Sequence, residues 1–138
     1  MDRPHLTHVA TRSRDVARSV EFYRRFVGLH VVHDRMDGDV RVVWLSEQAE
    51  EPDFVLVLFE VHHDPPPAPS TLQHLGFAVG SREEVDAAAE AGRQAGILVV
   101  PPVYAGPVVG YFCIVSDPDG NQVEFSYGQP IDPRQISA

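Results

Sequence analysis

The chain repeats itself. A short strand pattern, a helix with one apolar face and three more strand patterns lead into a proline-rich stretch, after which the same order begins again. A duplication of this kind restricts the chain to two units of like topology. In the first half, residues 6–12 alternate with β-branched side chains, and Asp15 is placed to cap a helix. Val16, Val20, Tyr23 and Val27 form that helix's apolar face, Phe22 and Phe26 widen it, and Gly28 ends it. Strands are expected over 30–36 and 40–45, joined by a turn at Asp37-Gly38-Asp39, and over 54–61 after a polar loop.

The second half opens with a strand over 73–79. Ser81-Arg82-Glu83-Glu84 then forms a capping box for a helix reaching about Gln94, with Gly96 as its stop. The strand over 98–104 contains Pro101 and Pro102, which belong at a sheet edge. Strands over 111–116 and 122–127 flank Asp117-Pro118-Asp119-Gly120-Asn121, whose residue types are those of a hairpin turn. The fold class that follows is α+β: two βαβββ modules over residues 1–61 and 71–128, a linker over 62–70 and a tail over 129–138 without pattern.

Charge narrows the function. With 11 basic against 20 acidic residues, the net charge of −9 argues against nucleic acid or an anionic membrane as partner. Cys113 is the single cysteine, so no disulfide forms within the chain. No signal peptide and no apolar run of about 18 residues is evident, and a cytoplasmic protein is expected.

The duplication aligns particular side chains. His8 stands seven residues before Asp15, and His74 seven before Ser81, so the two imidazoles hold matching positions in their first strands. Small residues follow on the same faces: Ala10 after His8, Gly76 and Ala78 after His74. In the last strand Val123, Phe125 and Tyr127 point one way, and Glu124 points the other. Two imidazoles and a carboxylate on rigid strands make the ligand set of a divalent ion with open positions. His62 and His63 are adjacent in an extended stretch and face opposite ways, so they do not share an ion.

A family resemblance rests on several stretches. They are His8-Val9-Ala10, the run from Arg14 to Tyr23, Val27-Gly28-Leu29, the run from His74 to Val79, and Asp117 to Glu124. Across residues 4–127 the chain resembles the vicinal oxygen chelate superfamily, which includes glyoxalase I, bleomycin resistance proteins, fosfomycin-inactivating transferases and extradiol dioxygenases. The resemblance implies a curled mixed sheet around a cleft, in most members completed in a homodimer, with metal ligands on the first and last strands of the modules. Those positions carry His8, His74 and Glu124. Aligning residues 55–59 with 122–126 puts Val57 at the fourth position, where glyoxalase I has Glu. The His and Tyr that extradiol dioxygenases carry before the last turn are missing, with Ile114 in the Tyr position. The basic residues expected for a phosphonate are sparse, Arg82 and Arg93 being the only ones in residues 73–127.

Two functions follow as expectations. The first is an enzyme using Fe²⁺, Mn²⁺, Zn²⁺ or Ni²⁺ to chelate vicinal oxygens of a small molecule, as a lyase, isomerase or dioxygenase. Glu124 is a catalytic candidate as well as a ligand, and Glu60, with His62 or His63, is a candidate for proton transfer. The alternative is a metal-free, bleomycin-resistance-like protein that sequesters a flat or cationic compound in a dimer cleft. Trp44, Val57, Phe59, Tyr104 and Tyr111 are the candidate cleft residues in either case.

Overall fold

The computed structural model describes residues 5–62 and 72–136, which fall into two compact units, one from each repeat. Each unit is an α+β module of one helix and a four-stranded mixed sheet. His63 and most of the proline-rich linker lie outside the described residues.

The first module runs β1 (His8–Ser13), α1 (Val16–Phe26), β2 (His30–Asp37), β3 (Val40–Ser46) and β4 (Val55–Glu60). Its strand order is β1-β4-β3-β2, with β1 parallel to β4 and the other pairs antiparallel. The Asp15 carboxylate accepts the Arg18 N–H at 3.2 Å, and the chain leaves the helix at Gly28 with φ +83°. Strand parity sorts the sheet into two faces. Leu45, Leu56 and Leu58 face α1 and are buried with Val16, Phe22 and Tyr23. Trp44, Val57 and Phe59 stand on the far face.

The second module repeats this as β5 (Leu75–Ala78), α2 (Arg82–Gln94), β6 (Leu98–Tyr104), β7 (Tyr111–Ser116) and β8 (Gln122–Tyr127), in the order β5-β8-β7-β6. Ser81 caps α2 by accepting the Glu84 N–H, while the Glu84 carboxylate accepts from Gly80 rather than closing the box on Ser81. The strand with Pro101 and Pro102 lies at the edge, and its ladder with β7 is irregular there. Gly92 is required by packing: a Cβ there would stand 2.6 Å from Val115 Cγ1. With Val85 and Ala89 it lets α2 settle on Cys113, Val115, Val123 and Phe125.

The tail differs from expectation. Pro133–Gln135 form a 3-10 turn, begun by Asp132, whose side chain accepts the Arg134 N–H at 2.9 Å. No described helix is long and apolar enough to cross a membrane.

Candidate functional site

The same register recurs in both modules. Ala10 pairs with Val57 across β1–β4, and Gly76 pairs with Glu124 across β5–β8. His8 and His74 each stand two residues before the small member of the pair. Val57 is therefore the positional counterpart of Glu124, as the alignment of the two halves predicts.

In the second module, Glu124 is buried on the sheet face opposite α2, its side chain 7% exposed. Its Oε2 lies 3.8 Å from His74 Nε2, and among the described residues the carboxylate makes no hydrogen bond. The other ring nitrogen of His74 is occupied: Nδ1 lies 2.6 Å from Gln73 Oε1. Because an amide oxygen only accepts, this contact puts a proton on Nδ1, and in the neutral ring Nε2 is then the acceptor. Ile114 and Phe112 flank the carboxylate from β7, opposite Glu124 and Ser126.

In the first module, His8 lines a cavity of about 420 Å³. Ala10, Trp44, Phe54, Val57 and Phe59 form its apolar wall, with Thr7, Arg35 and Asp53 as polar members. The His33 ring tilts on Trp44 at 4.8 Å, and the Arg35 guanidinium lies 5.7 Å from the indole while paired with Asp37. The Thr7 hydroxyl contacts His8 Nδ1 at 2.9 Å, the same arrangement that Gln73 makes with His74.

Three expected site residues lie elsewhere. Glu60 has the parity of Leu58, so it faces α1 and not the cavity. Its Oε2 accepts the Val16 N–H at 3.0 Å at the start of that helix, and its Oε1 pairs with His62 at 2.9 Å. A carboxylate satisfying a helix N-terminus has a structural task. Tyr111 pairs with Tyr127 and shares the face of Cys113 and Val115, which packs on α2. Its hydroxyl donates to Asp86, and the Arg82 guanidinium lies 4.8 Å from the Tyr111 ring and 5.3 Å from that of Tyr104. Tyr104 and Tyr111 thus stand on the α2 side of the sheet and not on the face that carries Glu124, Tyr104 remaining exposed. The sequence reading named neither Phe54 as a wall residue nor Phe112, although Phe112 has the opposite parity to Tyr111.

The donors fit a divalent ion. Imidazole nitrogen and carboxylate oxygen suit Fe²⁺, Mn²⁺, Zn²⁺ and Ni²⁺. Two atoms each about 2.1 Å from one ion lie at most about 4.2 Å apart, and the 3.8 Å between His74 and Glu124 falls within that. No three or more His, Cys, Asp or Glu side chains cluster for this purpose within either module, among the described residues.

Residues 5–125 match the model of the Glyoxalase/Bleomycin resistance protein/Dioxygenase superfamily. An uncharacterised protein of Pseudomonas aeruginosa is 39% identical over 130 residues, spanning 94% of this chain and 93% of its own length. Among solved structures, a possible glyoxalase from Bacillus cereus is similar at 25% identity and a TM-score of 0.68, covering 88% of this chain and 97% of that one. The fosfomycin resistance protein FosX of Listeria monocytogenes was solved with Mn(II) and 1S,2S-dihydroxypropylphosphonic acid. It has a TM-score of 0.72 at 18% identity, covering 96% of this chain and 98% of its own, a likeness of fold.

Proposed function

The chain belongs to the Glyoxalase/Bleomycin resistance protein/Dioxygenase superfamily, and from that membership we propose that it is a divalent-metal-dependent enzyme acting on a small molecule. The substrate in this reading offers two vicinal oxygens, and the reaction is that of a lyase, isomerase or dioxygenase. His8, His74 and Glu124 are the proposed ligands.

The observation that carries the reading is the Glu124 carboxylate. That side chain is only 7% exposed, but its oxygens keep contact with solvent, so the charge is costly to leave unneutralised and still reachable by an ion. Glu124 faces an imidazole nitrogen across 3.8 Å, with Gly76 opposite leaving room beside it. A cation shared by both atoms satisfies both. Once bound, a divalent ion supplies Lewis acidity toward substrate oxygens.

The remaining residues bind and exclude. Trp44, Phe54 and Phe59 suit a flat or branched apolar body, and their wall keeps water from it. Val57 contributes no charge where Glu124 has its counterpart, so the protein supplies three ligands and leaves positions for substrate. The same apolar cavity would also serve a metal-free protein that only sequesters a compound.

Elemental analysis decides between the two. Untagged protein prepared without chelator and reconstituted with each of the four ions should hold near-stoichiometric metal, lost in His8→Ala, His74→Ala and Glu124→Gln. Wild type that retains none of them overturns the enzyme reading and leaves the sequestering one.

A further inference from the structure

Both His8 and His74 are held at one ring nitrogen. Each imidazole has Nδ1 held by the side chain of the residue before it, Thr7 at 2.9 Å and Gln73 at 2.6 Å. A neutral imidazole has one donor and one acceptor nitrogen, and the partner of one decides the other. The Gln73 amide oxygen only accepts, so it draws a proton to Nδ1 of His74, and in the neutral ring Nε2 is left as the acceptor, 3.8 Å from Glu124 Oε2. The Thr7 hydroxyl donates or accepts, so it fixes the orientation of the His8 ring and not its tautomer.

We propose that Gln73 and Thr7 are positioning residues for metal binding, Gln73 fixing His74 as the Nδ1–H tautomer with Nε2 presented to the ion and Thr7 orienting the His8 ring through its Nδ1. The proposal rests on the metal reading above. The recurrence supports it: two chemically unlike side chains, at corresponding positions in the two modules, make the same contact to the same ring atom. Thr7 is well suited to hold a ring still. Its carbonyl accepts the Val55 N–H at 3.0 Å beside the start of the β1–β4 ladder, and its branched side chain has few rotamers. Partners of this kind orient ligating histidines, and their loss costs metal affinity without touching the ion.

The test has two readouts on one set of proteins. Long-range ¹H–¹⁵N spectra of the metal-free protein report the tautomer of each ring, and calorimetric titration with Mn²⁺ or Zn²⁺ reports affinity. Wild type should show the His74 ring as Nδ1–H. Gln73→Leu should change the tautomer of the His74 ring, Thr7→Val should leave that ring as it is, and each should lower affinity by about 10–100-fold. Thr7→Ser, which keeps the hydroxyl, and Gln73→Glu, which keeps an acceptor, should recover affinity, and Gln73→Glu the His74 tautomer. Should the wild type bind the ion while the variants match it in tautomer and affinity, the positioning role is overturned and the metal reading stands. If the wild type binds no ion, the metal reading fails and takes the positioning role with it.

Discussion

Gly76 stands across the β5–β8 ladder from Glu124, and a Cβ added to it would lie 3.3 Å from the carboxylate oxygen Oε2. That is crowding without collision. Gly76→Ala should therefore fold, because the backbone does not need glycine and alanine recovers about 0.5–1 kcal/mol of chain entropy in a strand. The cost should fall on the site, with metal affinity lowered about tenfold by the displaced carboxylate. Thermal unfolding of the metal-free variant beside an ion titration separates the two. Unchanged affinity would count against Glu124 as a ligand.

Glu60 should behave as a helix cap. Glu60→Ala removes the acceptor of the Val16 N–H and should destabilise the fold by about 1 kcal/mol. Glu60→Gln, which keeps an acceptor oxygen, should lose less. Urea unfolding measures this, and bound metal should be the same in all three proteins.

The Asp117 carboxylate organises the turn before β8. Its Oδ1 accepts the N–H groups of Asp119 and Asn121 at 2.9 and 2.8 Å, and its Oδ2 accepts Asn121 Nδ2 at 2.9 Å. The residue is 4% exposed, so Asp117→Ala leaves three part-buried donors without their acceptor and should cost about 2 kcal/mol in denaturant unfolding. Asp117→Asn, keeping one acceptor oxygen, should be intermediate. A loss below about 1 kcal/mol for the alanine variant would contradict this role.

Burial raises the Cys113 thiol from 9.0 to about 11, with a backbone hydrogen bond at Phe125 opposing the shift. Its Sγ donates to the Val85 carbonyl, and the side chain has no solvent exposure. In the unfolded chain the thiol ionises near its ordinary value, while the folded chain keeps the proton to higher pH. Its contribution to stability is thus whole below pH 9 and is lost as the pH rises toward about 11. Wild type should lose more stability than Cys113→Ala over that window. At pH 8 the folded thiol should resist alkylation until denaturant is added. Rapid labelling of native protein would show that the side chain is accessible.

Much of the candidate site follows from strand parity. A period of two puts Glu124 opposite Val123 and Phe125, and it sets Glu60 apart from Val57. Aligning the two halves puts Val57 in the counterpart position of Glu124, and the two ladders pair these residues in the same way. Strand ends were less legible. The sequence suggests a strand from residue 73, whereas β5 begins at Leu75, because ladder pairing starts only where β8 lies alongside. Tyr104 and Tyr111 could not be assigned to a face without knowing which residues of β7 oppose β8 and which pack on α2.

The sequence by itself determined the duplicated topology, the helix caps, the proline-bearing edge strand and the matched registers of His8 and His74. All of these depend on local backbone preference and on the spacing of apolar residues, which are written in chain order. Tertiary structure alone decided that Thr7 and Gln73 hold the Nδ1 atoms of the two imidazoles, that Glu60 accepts from the start of α1, and that Arg82 lies against Tyr104 and Tyr111. These depend on side-chain rotamers and on partners from separate elements, and no periodicity along the chain encodes such distances.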